Sequence, residues 1–230
     1  MKTRLLIIIG IIVIGIVSTW AITTFVDIGM DQKYQYRFWQ KNIEFENDIY
    51  YLRVLFSRSD DYGKTFSEPI DMSMTNLNAH EPKIILMSKE VILVWRDEVY
   101  DIPTLSFAKS TDLGETFEKK RLFYGARPDI KHYGETLYLT YIDLESRGEV
   151  WYSKSNDRGE TFSEPKLIFK VDWQLDPYNE GAIPIIDVDA DNVTITWKMY
   201  DKDWQYTVWK AVDYGKDGTF EVTSFPEIRK

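Results

Sequence analysis

Ser59-Asp60-Asp61-Tyr62-Gly63-Lys64-Thr65-Phe66 is written again, little changed, as Ser110-Thr111-Asp112-Leu113-Gly114-Glu115-Thr116-Phe117 and as Ser155-Asn156-Asp157-Arg158-Gly159-Glu160-Thr161-Phe162. The shared pattern is S-x-D-x-G-x-T-F. A fourth, degenerate copy reads Ala211-Val212-Asp213-Tyr214-Gly215, with Thr219-Phe220 following two residues late. Self-similarity at a period of roughly 50 residues marks an array of similar supersecondary units.

Each copy lies between runs rich in β-branched and aromatic residues. Thr104–Ala108 and Lys120–Phe123 flank the second; Glu149–Ser153 and Lys166–Phe169 flank the third. Such runs are strands, so the octet is a hairpin connection. Gly63, Gly114 and Gly159 supply the positive φ of a tight turn. Asp61, Asp112 and Asp157 accept hydrogen bonds from loop N–H groups, and the hydroxyls of Ser59, Ser110, Ser155, Thr65, Thr116 and Thr161 close the rest. Phe66, Phe117 and Phe162 pin the loop to the core. First strands open at Pro82, Pro128 and Pro184; second strands follow at Val91–Trp95, Leu137–Tyr141 and Val193–Trp197. Three four-stranded units result, at about 82–123, 128–169 and 184–225. A partial unit at about 34–72 precedes them, with strands near Tyr34–Trp39, Asp48–Ser57 and Pro69–Met72.

The octet resembles the Asp-box, or bacterial neuraminidase repeat, of sialidases and other β-propellers, over residues from about 34 to 226. The resemblance implies an all-β propeller of about four four-stranded blades. It places the boxes at the turn between third and fourth strands, on the face away from any ligand, which makes their acids scaffold. A closed four-blade ring is the expected assembly. The alternative is an open arc whose edges a partner covers. Sialidases hold a substrate carboxylate with three arginines and use a tyrosine–glutamate pair and an aspartate. Arg127-Pro128 resembles the family's arginine-x-proline signature without the intervening residue, and Arg96 and Arg37 are further candidates. The complete set is not evident.

Leu5 to Val26 is a run of 22 uncharged, mainly apolar residues. As a helix it would reach about 33 Å, enough to cross the hydrocarbon core of a bilayer. Lys2 and Arg4 precede it, which puts the N-terminus in the cytoplasm and the rest outside. Residues 1–30 are therefore read as a membrane anchor, with a cleaved signal segment and a secreted product as the alternative. Residues 31–230 are the propeller domain. The net charge of −9 argues against nucleic acid and anionic membrane surfaces as partners. There is no cysteine, so disulfides play no part.

Strand assignment also assigns faces. Opposite the boxes lie His80, Glu81, Trp95, Arg96, Asp97, Glu98, Arg127, Asp143, Trp173, Tyr178 and Glu180. Aromatics beside carboxylates suit a sugar, with a plate for the ring and acceptors for its hydroxyls. Trp95, Tyr141 and Trp197 occupy equivalent places and serve the core first. His80 and His132 lack metal-ligand spacing, so no metal or cofactor is expected. Asp187-Val188-Asp189-Ala190-Asp191 mimics the opening of a calcium loop, lacks its glycine and closing glutamate, and reads as a turn. The expected function is a non-catalytic, membrane-tethered module that binds a glycan or protein through this loop face. One alternative is a sialidase-like glycoside hydrolase using Arg127, Arg96, Asp97 and Glu81. A second is a structural subunit that self-associates or joins a membrane complex.

Overall fold

The computed structural model describes residues 28–29, 33–46, 49–143, 149–170, 183–200 and 206–226. The helical span expected at Leu5–Val26 lies outside these residues; among the described ones, no helix is long and apolar enough to cross a membrane.

Among the described residues the regular structure consists of four antiparallel sheets, each of four strands taken in chain order. The first blade holds β1 (Ile28–Gly29), β2 (Gln35–Glu46), β3 (Ile49–Ser59) and β4 (Ile70–Asp71). The second holds β5 (Ala79–Met87), β6 (Glu90–Val99), β7 (Ile102–Ser110) and β8 (Glu118–Tyr124). The third holds β9 (Ala126–Tyr133), β10 (Thr136–Asp143), β11 (Glu149–Ser155) and β12 (Lys166–Phe169). The fourth holds β13 (Ile185–Val188), β14 (Val193–Tyr200), β15 (Tyr206–Asp213) and β16 (Glu221–Pro226). Strand β5 packs on β9, and β9 on β13, so the first strands lie innermost. This is a propeller-like array. The missing first strand of the first blade is β1, within the segment read as anchor.

The three full octets fold alike. Ser110 Oγ donates to Asp112 Oδ1 at 2.6 Å and accepts from Gly114 N–H at 2.8 Å. Asp112 in turn accepts from Thr116 N–H at 2.9 Å and from Thr116 Oγ1 at 2.6 Å. The same bonds recur around Asp61 and Asp157. The Thr65 N–H and hydroxyl hold the Asp61 carboxyl down at about 2, and the Thr161 and Ser155 hydroxyls hold Asp157 at about 2. These aspartates spend their acceptor capacity on their own turns.

The fourth octet is in register, contrary to the sequence-based expectation. Asp213 pairs with Val193 just as Ser110 pairs with Val91 and Ser155 with Leu137. It therefore holds the serine place, with its carboxylate buried and accepting Gly218 N–H at 2.6 Å. Lys216, at φ 53°, takes the left-handed place of Tyr62, Leu113 and Arg158. Counted from Asp213, Thr219 and Phe220 arrive on time.

Each octet docks on the blade before it. Phe117 meets Phe56 with ring centroids 4.9 Å apart, Phe162 meets Phe107 at 5.5 Å, and Phe220 meets Tyr152 at 4.9 Å. The receiving ring always stands three residues before the octet of its own blade. A cation one residue before that octet completes the joint. Arg58 bonds Glu115 at 2.9 Å, Lys109 bonds Glu160 at 2.6 Å, and Lys154 bonds the Lys216 carbonyl at 2.8 Å.

Three apolar cores follow from this, one for each consecutive pair of blades. A closed ring, the assembly expected from sequence, needs a fourth core between the last blade and the first, and none is present among the described residues. The chemistry of the ends agrees. In the fourth blade the receiving ring is replaced by Lys210 and the receiving cation by Val212. At the other end, Phe66 lies under the Arg37 guanidinium, 3.5 Å from the ring centroid. The described blades form an arc.

Candidate functional site

Strands β5 and β9 start at the face opposite the octets, and both begin with a bulge. Glu81 and Arg127 occupy equivalent places there, each before a proline, at φ 58° and 53°. Left-handed backbone at a non-glycine residue costs on the order of 1–3 kcal/mol and persists only where its surroundings over-determine it. Here the surroundings are visible. Glu81 Oε2 accepts the Arg127 N–H at 2.6 Å, and the Glu81 N–H donates to Gln40 Oε1 at 3.0 Å. Three blades meet at Glu81.

A partly open polar cluster is built around it. Arg96 Nη1 stands 3.5 Å from Glu81 Oε1, and its Nη2 stands 3.8 Å from Glu98 Oε1. His80 Nε2 is 3.0 Å from Glu98 Oε1. Asn78 donates to Glu98 Oε2 at 3.1 Å and accepts the Leu52 N–H at 2.9 Å. The His80, Glu81, Arg96 and Glu98 side chains are between 16% and 28% exposed, so a ligand can reach them. Burial, then the neighbouring Arg96, pull the His80 imidazole below its ordinary value, leaving it neutral at pH 7. Arg96 already faces two carboxylates and presents little uncompensated charge to an anion.

His80, Glu81 and Arg96 are thus brought together with the backbone N–H of Arg127. Trp95 and Asp97 are not on this surface. Trp95 is fully buried, edge-on to Phe38 at 6.0 Å. Asp97 is fully buried too, accepting Ser106 Oγ at 2.6 Å and Met74 N–H at 3.2 Å, and burial pushes its carboxyl up. The reason is strand length: β6 and β7 continue to Val99 and Ile102 and are closed by Tyr100-Asp101, so what looked like loop is sheet. Trp173, Tyr178 and Glu180 lie outside the described residues. Arg37, on its ring, is not part of the cluster. Glu98, which follows Asp97 on the face read from the sequence, belongs to it; Gln40 and Asn78 do too, and nothing local in the sequence marks them as site-lining.

Asp143 lies elsewhere, in a cleft of about 600 Å³ between the second and third blades. The cleft is lined by Arg121, Phe123, Tyr124, Tyr141 and Trp151 besides Asp143. Phe123 stacks on Tyr141, centroids 5.7 Å apart at 11°, while Tyr124 is 72% exposed. The mimic of a calcium loop is a turn in which Asp189 Oδ1 accepts the N–H groups of Asp191 and Asn192, both at 2.8 Å.

No protein-family model matches the sequence, and no curated protein matches it. Solved structures do resemble it. The GH93 α-L-arabinofuranosidase of Fusarium graminearum, solved with arabinobiose, matches with a TM-score of 0.61 at 14% identity, over 86% of this chain and 64% of that one. A PL25 ulvan lyase matches at 0.63 and 12%, over 85% of this chain and 52% of that one. A thermostable family-43 glycoside hydrolase matches at 0.54 and 11%, over 90% and 75%. At such identities the likeness is one of fold. The chain spans less than two thirds of the arabinofuranosidase and about half of the lyase.

Proposed function

We propose that this chain is a glycan-binding module of the Asp-box propeller type, held outside a membrane by Leu5–Val26, that binds through its loop face without cleaving its ligand. The observation that carries this is the cluster of Gln40, His80, Glu81, Arg96, Glu98 and Arg127, assembled from three blades at the inner strand ends. Its donors and acceptors alternate over a short distance, as sugar hydroxyls do. The solved structures of similar fold are carbohydrate-active enzymes, which supports a glycan over a protein ligand. A glycan array probed with the full chain in detergent tests the reading. Binding lost in Glu81→Gln and kept in Asp112→Asn is the expected result.

A second reading has one observation in its favour. Arg96 faces both Glu81 and Glu98, so two carboxylates flank one guanidinium, and paired carboxylates are the parts of a glycosidase. Release of reducing sugar from a bound glycan, abolished by Glu98→Gln, would establish it. A sialidase is disfavoured, since Arg37 lies against Phe66 and Arg96 is committed to glutamates. Self-association or a place in a membrane complex would show as fixed stoichiometry on sedimentation.

A further inference from the structure

The polar cluster and the cleft lie on one seam, that between the second and third blades. At the inner end, Glu81 of β5 accepts from Arg127 of β9. Further out, the cleft opens between β8 and the strands β10 and β11. Tyr124 and Arg127 are three residues apart, so their Cα atoms lie within about 11 Å. Both Tyr124, closing β8, and Asp143, closing β10, sit at the strand ends opposite the octets.

The chemistry changes along this line. Inside are hydrogen-bonding groups with their charges matched. Outside, the cleft is lined by Tyr124, 72% exposed, and by Phe123 and Tyr141, stacked on each other. Asp143 adds an acceptor at the cleft wall, while the Arg121 guanidinium donates to the Met74 carbonyl at 3.0 Å. A single sugar would use one end only. A volume of about 600 Å³ is within the range of small-molecule sites, and it comes in addition to the cluster.

Building on the glycan reading, we propose that the seam binds an extended, neutral oligosaccharide, its inner unit on Glu81, Arg96 and His80 and an outer unit stacked on Tyr124. Neutrality follows from the committed Arg96, the carboxylate of Asp143 in the cleft, and the net charge of −9.

Isothermal titration of the full chain in detergent with arabino-, xylo- and cello-oligosaccharides, monomer to hexamer, tests this. For at least one series, affinity should climb with chain length. Tyr124→Ala should weaken the longer ligands about tenfold, the scale of one aromatic contact, and leave the monosaccharide unchanged. Because Tyr124 is exposed, that variant should keep its thermal midpoint. A monosaccharide bound as tightly as the hexamer would leave glycan binding standing and overturn the extended track. So would length-dependent binding that Tyr124→Ala does not alter. Failure of all three series to bind would overturn the proposal for neutral chains and leave the wider glycan reading to the array.

Discussion

Gly159 lies so close to Phe107 of the preceding blade that a Cβ on it would stand 2.5 Å from the ring's Cζ. Gly114 bears the same relation to Phe56, at 2.9 Å. The octet glycine therefore meets two demands, a left-handed φ and a blade-to-blade approach that no side chain permits. Gly63 is different: a Cβ there would meet the end of the Gln35 side chain, within its own blade, at 2.1 Å.

Gly159→Ala should consequently destabilise more than Gly63→Ala. Both pay the same backbone strain, about 1 kcal/mol or more at positive φ. Only Gly159→Ala also pushes a packed ring, for a further ~1–3 kcal/mol, whereas Gln35 can swing aside. Urea unfolding of the two variants checks the order.

The octet phenylalanines make a parallel case. Phe162 packs across the blade joint on Phe107, with Lys120 over its ring. Phe162→Ala should cost roughly 3 kcal/mol. Phe66 has Arg37 above it and no receiving ring from a preceding blade among the described residues. Phe66→Ala should cost about 1 kcal/mol, the scale of a cation–π contact. Equal losses would mean that a ring-closing joint exists after all.

These differences show what was legible in the sequence. Octets and strand order could be read directly, because turn chemistry and alternation are local signals. The fourth octet was misplaced by two residues, since Asp213 does the serine's work and a pattern match takes it for the aspartate. Trp95 and Asp97 were put on the ligand face because a long two-stranded extension looks like loop until Tyr100-Asp101 is seen to close it. The cluster itself was half legible: charged residues beside a proline stand out, whereas Gln40 and Asn78 matter only once three blades converge. Ring closure could not be read at all from octet counting. It becomes readable only after the docking places are known, where Lys210 and Val212 replace a ring and a cation.

Separation of scaffold from site gives a third test. Ser110 is buried and accepts the Gly114 N–H. Ser110→Ala strands that donor and should cost about 1–3 kcal/mol, measured by urea titration, without changing affinity for any glycan. Glu81→Gln keeps the shape of its side chain and loses charge toward Arg96. It should reduce glycan affinity at least tenfold while lowering stability by about 1 kcal/mol. If Ser110→Ala weakened binding as much as Glu81→Gln does, the assignment of faces would be wrong.

The last prediction concerns acidity. His80 titrates below its ordinary value of 6.5 because it is half-buried and beside Arg96. A group with a depressed folded value binds its proton more readily in the unfolded chain. Its contribution to stability is therefore complete above about pH 6.5 and is lost as pH falls from there toward the folded value. His80→Gln removes the titration and keeps a polar group near Glu98 Oε1. The variant should show a flatter stability profile between pH 7 and pH 5 than the parent, read from urea midpoints at each pH. The octet aspartates respond at lower pH, since Asp61 and Asp157 titrate at about 2 against 3.8 for an ordinary aspartate. Their stabilisation is intact above about pH 4 and declines only below it, so the two effects separate along the pH axis. An unchanged slope in His80→Gln between pH 7 and pH 5 would mean that the imidazole does not titrate differently in the folded protein, and that burial and Arg96 do not depress it.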